Sequence, residues 1–184
     1  EVTLGYNNYL FATFNGRNES VSLLSPDNRT FFYPGGNVSF IFTDAIEALK
    51  ENKILSYGKV NASASKTANV SVAPYQLLNT YVASAGFPYG NLSGFEMSGT
   101  NANYDLKPEF VYSWEVGTQL QFLRNRLRFE ATYAYADARD QALEVNTSYV
   151  TGFGRSMMNA ARMESKSWEF NLSGDLVSNK DWTV

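Results

Sequence analysis

The chain has no cysteine and no histidine among its 184 residues. Their absence removes disulfide bonds, thiol nucleophiles, imidazole bases and the commonest zinc ligands together. Two carboxylate pairs remain, Asp137 with Asp140 and Glu115 with Glu130. They are better interpreted as polar groups of a loop and of a sheet face than as a catalytic pair. The composition therefore argues against an enzyme, and we expect no cofactor and no metal site.

Long hydrophobic runs are also missing. No segment approaches the ~18 to 20 apolar residues that a membrane helix needs, which excludes a helical membrane protein. A membrane β-barrel is not excluded, because its lipid-facing surface uses only every second residue. The mean hydropathy of −0.29 is compatible with that arrangement.

The chain has no large excess of charge of either sign, since it has 15 basic and 18 acidic residues and a net charge of −3. The chain therefore lacks the basic footprint of a protein that binds nucleic acid. Aromatic residues are abundant instead, with 12 Tyr and 13 Phe. Such side chains favour extended sheet, and the length fits one domain. We expect an all-β protein.

The strongest pattern in the sequence is an alternation of apolar and polar residues over 111–136, interrupted by a turn at Arg124 and Asn125. This period of two predicts a tight β-hairpin with one apolar face and one wet face. The predicted apolar face consists of Trp114, Val116, Thr118, Leu120, Phe122, Leu127, Phe129, Ala131, Tyr133 and Tyr135.

Shorter alternating segments predict further strands at 2–6, 9–17, 31–43, 55–66 and 164–177, and a new strand from 181. Ala45, Ala48 and Leu49 share a helical face behind Asp44, so a short helical turn is predicted at 44–52 with Asp44 as its cap. The connections between strands are alternately short and long. The long ones are 18–30, 67–109 and 139–161.

An up-and-down antiparallel sheet places all these long connections at one end, as outer-membrane barrels do. The predicted apolar faces also carry no charge, which a lipid-facing surface requires. A sandwich of two sheets would have the same two faces, so a secreted or surface-attached β-sandwich adhesin stays open as an alternative. A passive pore or a protein-export barrel is a third possibility.

Three groups of residues are candidates for function. In a barrel the polar face would line the lumen, with pairing of Arg128 or Lys59 with Glu115 or Glu130. Its lumen-facing candidates are Lys59, Glu115, Gln119, Arg128, Glu130 and Glu169. Trp114, Tyr133, Tyr135 and Trp168 fit an aromatic girdle at the membrane interface.

The third group is a set of aromatic residues in the longest predicted loop. Aromatic faces beside amides and hydroxyls suit oligosaccharide or peptide ligands. The competing interpretation is that these side chains pack the loop onto itself or onto a partner. The residues are Tyr75, Tyr81, Phe87, Tyr89, Phe95 and Tyr104.

The segment 106–117, with LKPE followed by SWEVG, resembles TonB-dependent outer-membrane transporters, and further matches point to the SusC/RagA branch of Bacteroidetes. These matches follow the family's order: YLF and GRN at 9–18, FYP and VS at 32–39, KTAN and PY at 66–75, NRL at 125–127, TY at 132–133 and DQ at 140–141. The chain departs from the family at Ala68, Ala161, Arg162 and Ser167.

The resemblance implies a plugged barrel of about twenty-two strands in the outer membrane. This chain would supply about seven or eight of them as part of a single barrel domain over 1–184, with the plug and the C-terminal strands absent. It implies TonB-dependent import of oligosaccharides or peptides. A SusD-like surface lipoprotein would close the mouth, TonB would bind regions absent here, and lipid would surround the wall.

Overall fold

The computed structural model describes residues 1–50 and 52–175. Eight strands form one sheet in the order β1-β2-β3-β4-β8-β9-β10-β7, and β5 pairs with β6 in a separate hairpin. The strands are β1 Val2–Tyr6, β2 Leu10–Ser20, β3 Thr30–Ile41, β4 Leu55–Asn69, β5 Tyr81–Ala83, β6 Phe95–Met97, β7 Thr100–Asn101, β8 Glu109–Phe122, β9 Leu127–Asn146 and β10 Arg155–Gly174.

From β1 to β10 the long strands follow one another as an antiparallel meander, and only the short β7 joins the edge in parallel. The predicted all-β, up-and-down antiparallel sheet is therefore confirmed. The β-sandwich alternative is wrong in the part of the chain that the structure describes. Its 14-residue β8 and 20-residue β9 stay unbroken within one sheet instead of dividing between two packed sheets.

The hairpin of β8 and β9 has the predicted register. Trp114 lies opposite Tyr135 and Val116 opposite Tyr133, so both strands place the same kind of residue on the same side. We call the side with Trp114 the apolar face and the side with Glu115 the polar face. The register across β1 to β9 shifts once, between Leu55 and Tyr57 at the start of β4, and is regular elsewhere. Each face therefore keeps its character beyond that point.

Two connections at one end of the sheet, 7–9 and 123–126, are tight, whereas the third, 42–54, holds a short helical segment. Asn7 and Asn8 have φ angles of 47° and 60°, which asparagine adopts more readily than other residues with a side chain. The turn predicted at Arg124 and Asn125 is present, and Leu123 also has positive φ.

The short helical segment is present as α1 Phe42–Ala45 and α2 Glu47–Lys50. Asp44 lies inside α1 instead of capping it, since the N-cap residue is Ile41. The described part of the chain contains no helix long and apolar enough to cross a membrane. The turn predicted at 178–180 and the strand predicted from 181 lie outside the described residues.

The connections at the other end do not have the predicted bounds, and of these only 70–108 is longer than the helical connection 42–54. The predicted loop 18–30 is limited to 21–29, and 67–109 to 70–108. The largest difference is at 139–161, where only 147–154 lies outside β9 and β10 and holds a single 3-10 turn, Tyr149–Thr151.

Polar residues and two β-bulges explain why 139–146 and 155–161 did not look like strands. Asp140 has a positive φ of 57°, and the β9–β10 register shifts on both sides of Ala161. Each bulge inserts an extra residue and breaks the period of two. The strands therefore continue after the sequence pattern has ended.

A small aliphatic core attaches the 70–108 connection to the end of the sheet. Leu106 is fully buried, and Leu24, Val72 and Met157 are nearly so. These four residues come from two connections and from β10. Burial of such side chains stabilises the docked loop by roughly 1.5–3 kcal/mol each.

Hydrogen bonds fix the chain where this connection joins β8. The Asn159 side chain accepts from the Lys107 amide at 3.0 Å and donates to the Lys107 carbonyl oxygen at 2.9 Å. Glu109 accepts from the Ala142 amide and from the Asn69 side chain, which links β4, β8 and β9. The LKPE motif thus positions the loop at the sheet.

We predict that Leu106→Ala loosens the 70–108 connection without unfolding the sheet. Removing a fully buried Leu side chain costs about 2–5 kcal/mol, and Leu106 serves the loop core and not the strand pairing. Hydrogen exchange in a complete receptor that carries this chain should accelerate at least tenfold in 70–108 and remain unchanged in β8 and β9.

Leu78→Ala is the matched control, because Leu78 lies in the same connection and is 58% exposed. It should leave exchange unchanged. Equal protection of the loop in the Leu106 and Leu78 variants would show that the aliphatic core does not hold it.

Candidate functional site

The six polar residues predicted to share a face do so. Lys59 lies opposite Gln119, which lies opposite Glu130, so these three form a row across β4, β8 and β9. The other three lie in neighbouring rows of the same polar face: Glu115 opposite Ser63, Arg128 opposite Gln121 and Glu169 opposite Thr132. The face is thus a continuous polar surface over four adjacent strands.

Ion pairing on this face differs from the prediction. Arg128 pairs with Asp175 at 3.5 Å instead of with Glu115 or Glu130. In the described ranges, Lys59 forms no ion pair with either glutamate. The charge of Arg128 is therefore partly neutralised by a carboxylate, whereas within the described residues Lys59 keeps its charge available to solvent or to a ligand.

The apolar face has an uncharged band that spans several rows of side chains. In β9 it extends from Leu127 to Tyr135, eight residue steps or about 27 Å along the strand. Aromatic rings form the margin of this band that is nearer to the 70–108 connection, and we call that end of the sheet the upper end. Trp114 contacts Tyr133 and Tyr135 at centroid distances of 5.3 and 5.8 Å, and Tyr133 contacts Trp168 at 4.7 Å. The four residues predicted as a girdle are therefore one cluster.

The six aromatic residues predicted as ligand contacts all lie in the 70–108 connection or its short strands, and all are exposed. Their exposed fractions are Tyr75 85%, Tyr81 69%, Phe87 50%, Tyr89 79%, Phe95 68% and Tyr104 50%. Packing of the loop onto itself is carried by aliphatic residues instead, which form the buried core. Among the six, Phe87 also packs within the loop, since its ring lies over Gly94.

A cavity of about 300 Å³ lies at the base of this connection. Its lining combines Tyr75 with the hydroxyl groups of Thr80, Ser98 and Thr100 and the carboxylate of Glu144. Of the six predicted aromatic residues, Tyr75 borders it. Glu144 accepts a hydrogen bond from Arg155 at 2.9 Å, so its carboxylate is held in place.

Two features of this end of the molecule were missed from the sequence. Tyr149 and Val150 are 85% and 95% exposed at the tip of 147–154. Two apolar residues within a polar stretch are too short a pattern to indicate an exposed apolar tip from sequence. Asp137 is buried on the apolar side of β9 and accepts hydrogen bonds from Arg139 at 2.6 Å and Arg162 at 2.8 and 2.9 Å. Arg162 is distant from Asp137 in sequence, and only the pairing of β9 with β10 brings the two side chains together.

Comparison with known proteins agrees with this architecture. Residues 1–184 match the family model described as TonB dependent receptor-like, beta-barrel. The chain is similar to TonB-dependent receptor P26 of Formosa agariphila, with 26% identity over 98% of this chain and 18% of that protein. TonB-dependent receptor P3 of the same organism is 25% identical over 95% of this chain and 17% of that protein.

Two solved structures share the fold. A structure of the RagAB peptide transporter superposes with a TM-score of 0.87 at 22% identity, covering 98% of this chain and 20% of that one. The siderophore receptor PirA from Acinetobacter baumannii gives 0.58 at 18% identity, with 95% and 24% covered. The chain thus spans about a fifth of the length of these relatives.

The family model matches the whole chain, and the up-and-down antiparallel sheet is the wall of such a barrel. The barrel is not closed within the described residues, since β1 forms one edge of the sheet. The likeness to SusC/RagA-type transporters seen in the sequence is confirmed at this level. The chain belongs to the TonB-dependent receptor-like β-barrel family of the outer membrane.

Proposed function

We propose that the chain is part of the barrel wall of a TonB-dependent importer that takes up oligosaccharides or peptides. The observation that carries this proposal is the exposure of six aromatic side chains at the end of the sheet where the long connections lie. Family membership supports it, because TonB-dependent receptors couple such a barrel to energy from the inner membrane. The role is transport and not catalysis.

The two faces of the sheet have different roles in the barrel wall. The polar face lines the lumen, so Lys59, Glu115, Gln119, Arg128, Glu130 and Glu169 meet water or the plug. The apolar face meets lipid, where a charge in mid-bilayer would cost about 2–4 kcal/mol. In β8 and β9 the band between Leu127 and Tyr135 is uncharged and satisfies that requirement, and on β10 Lys166 stands at its margin, opposite Tyr135.

The connections 21–29, 70–108 and 147–154 are extracellular in this proposal, and the tight turns are periplasmic. The exposed aromatic residues provide flat apolar surfaces, and the cavity beside Tyr75 adds hydroxyl groups and the Glu144 carboxylate. Sugars and peptides combine apolar faces with many hydrogen-bonding groups, which matches this lining.

Two protein partners complete the proposal. A SusD-like surface lipoprotein closes over the extracellular mouth, and the likeness of the fold to the RagAB peptide transporter supports this partnership. TonB binds regions of the receptor outside residues 1–184. The exposed aromatic residues of 70–108 offer contact area to the lipoprotein when no substrate is bound.

The assignment of the two faces predicts opposite labelling of neighbouring residues. The 184 residues contain no cysteine, so a single one can be introduced at Glu115 or at Val116. In a complete receptor in lipid vesicles, Glu115→Cys should react with a water-soluble maleimide and Val116→Cys should be protected. Detergent should not be needed for the first reaction.

The pair is its own control, because both residues are exposed in the sheet and are adjacent in β8. A receptor without the introduced cysteine reports background labelling. Protection of position 115 together with rapid labelling of position 116 would reverse the two faces and refute the wall assignment.

The loop assignment predicts that Tyr75→Ala and Tyr89→Ala weaken substrate binding. One aromatic contact contributes about 0.5–1.5 kcal/mol, which corresponds to about 2- to 12-fold in Kd. Binding of defined oligosaccharides and peptides to a complete receptor by titration calorimetry measures this effect. TonB-dependent uptake by cells should decrease in parallel, whereas a passive pore would import without TonB.

Tyr6→Ala is the matched control, since Tyr6 is also exposed, at 59%, but lies beside the tight turn at the opposite end. Its removal should leave substrate affinity unchanged. Unchanged affinity in both loop variants, for every sugar and peptide that the parent receptor binds, would contradict a ligand role for these residues.

A further inference from the structure

The apolar face contains a groove between β3 and β4. Pairing of these two strands ends at Gly35 with Ser65, although β3 continues its pairing with β2 back to Thr30 and β4 continues with β8 to Asn69. Pro34 has no N–H to donate, which ends the ladder here. Beyond this point β3 and β4 are not paired with each other. The groove, about 770 Å³ in volume, lies over the last paired residues of the two strands and is bordered by Phe14 and Trp114.

Small side chains make this opening a gap in the aromatic margin. Gly36 and Ala64 lie in the same row as Trp114 and Tyr135 on the neighbouring strands, and Ala62 lies in the next row, opposite Val116. A Cβ atom at Gly36 would lie 3.2 Å from the Thr13 carbonyl oxygen, so the site accepts little more than glycine. The gap between Phe14 and Trp114 spans three strand spacings, about 14 Å.

Cationic groups stand at the upper end of the groove. Lys66 and Arg139 both line it and both lie on the ring of Tyr112, at 5.4 Å and 4.9 Å from its centroid. The Lys66 ammonium is also 3.8 Å from the Phe110 centroid. These cation–π contacts hold the two charges over the apolar opening.

The charge at this level is net positive. Asp137 is enclosed by Arg139 and Arg162, and Arg162 also pairs with Glu164 at 2.9 Å. Lys166 adds a further cation over Tyr135. Throughout the described ranges, Lys66 has no carboxylate partner in an ion pair. Its positive charge is therefore available to an external anion.

We propose that this groove binds a lipid whose phosphate headgroup is net negative, with an acyl chain over β3 and β4 and its phosphate on Lys66 and Arg139. The apolar floor matches hydrocarbon, and the cations stand where a headgroup would lie just beyond the aromatic margin. A soluble anion would make no favourable contact with the apolar floor, and a lipid without net charge would gain no binding energy from the cations. This proposal rests on the lipid-facing assignment of the apolar face.

The test measures lipid affinity in a complete receptor purified in a non-ionic detergent. Dioleoyl phosphatidic acid, dioleoyl phosphatidylcholine and inorganic phosphate are titrated separately, and bound lipid is counted by native mass spectrometry. The phosphatidic acid should bind at least tenfold more tightly than the other two probes, because it alone combines acyl chains with a net negative headgroup; phosphatidylcholine is zwitterionic and inorganic phosphate has no acyl chain.

Two variants separate the two halves of the site. Lys66→Gln removes the unpaired charge and should weaken phosphatidic acid binding about tenfold. Ala64→Trp fills the floor and should weaken it to a similar degree with the cations intact. Lys59→Gln is the matched control, since Lys59 lies on the same strand but on the polar face, and it should leave the affinity for phosphatidic acid unchanged.

Equal affinity for the two lipids, or full affinity in Lys66→Gln, would overturn the proposal. Inorganic phosphate binding as tightly as phosphatidic acid would show an anion site without a lipid. Heat-dependent gel mobility confirms that each variant barrel is folded. The maleimide experiment separates this proposal from the wall assignment on which it rests. If position 116 is protected but the receptor shows no lipid preference, the lipid site alone is refuted. If position 116 is labelled, the lipid-facing assignment itself is refuted.

Discussion

The structure depends on the requirement that every backbone amide and carbonyl within a membrane finds a partner in the protein. The ladder from β1 through β4, β8, β9 and β10 meets it by antiparallel pairing over the lower part of the sheet. Pairing without a one-residue slip keeps Trp114, Val116 and Leu120 on one face and Glu115 and Gln119 on the other. Wall, polar surface and apolar surface all follow from this register.

Above the aromatic margin the backbone lies outside the membrane, so this requirement no longer applies and the strands become irregular. Bulges near Asp140 and Ala161 re-aim side chains, and Arg162 reaches the buried carboxylate of Asp137. The 70–108 connection docks through an aliphatic core around Leu106, which leaves aromatic rings exposed. The same chain can therefore combine a rigid wall with a surface suited to binding.

Period two predicted the strands and both faces, because burial on one side constrains every second residue. It failed at 139–146 and 155–161, where polar side chains and bulges remove the alternation although the backbone stays paired. The exposure of Tyr75 and Tyr89 and the cavity beside Glu144 depend on how a long connection folds, which local pattern does not encode. The groove beside Pro34 depends on the register of three strands, β2, β3 and β4, which the alternation of residues does not give.

The most direct measurement is a cryo-electron microscopy map of a complete receptor in a lipid nanodisc. We expect the lipid belt to cover the apolar face from the level of Leu127 to that of Tyr135, with Glu115 and Gln119 facing an enclosed lumen. A belt that crosses the sheet at the level of the 70–108 connection, or a second protein sheet packed on Trp114 and Val116, would contradict the assignment of the two faces.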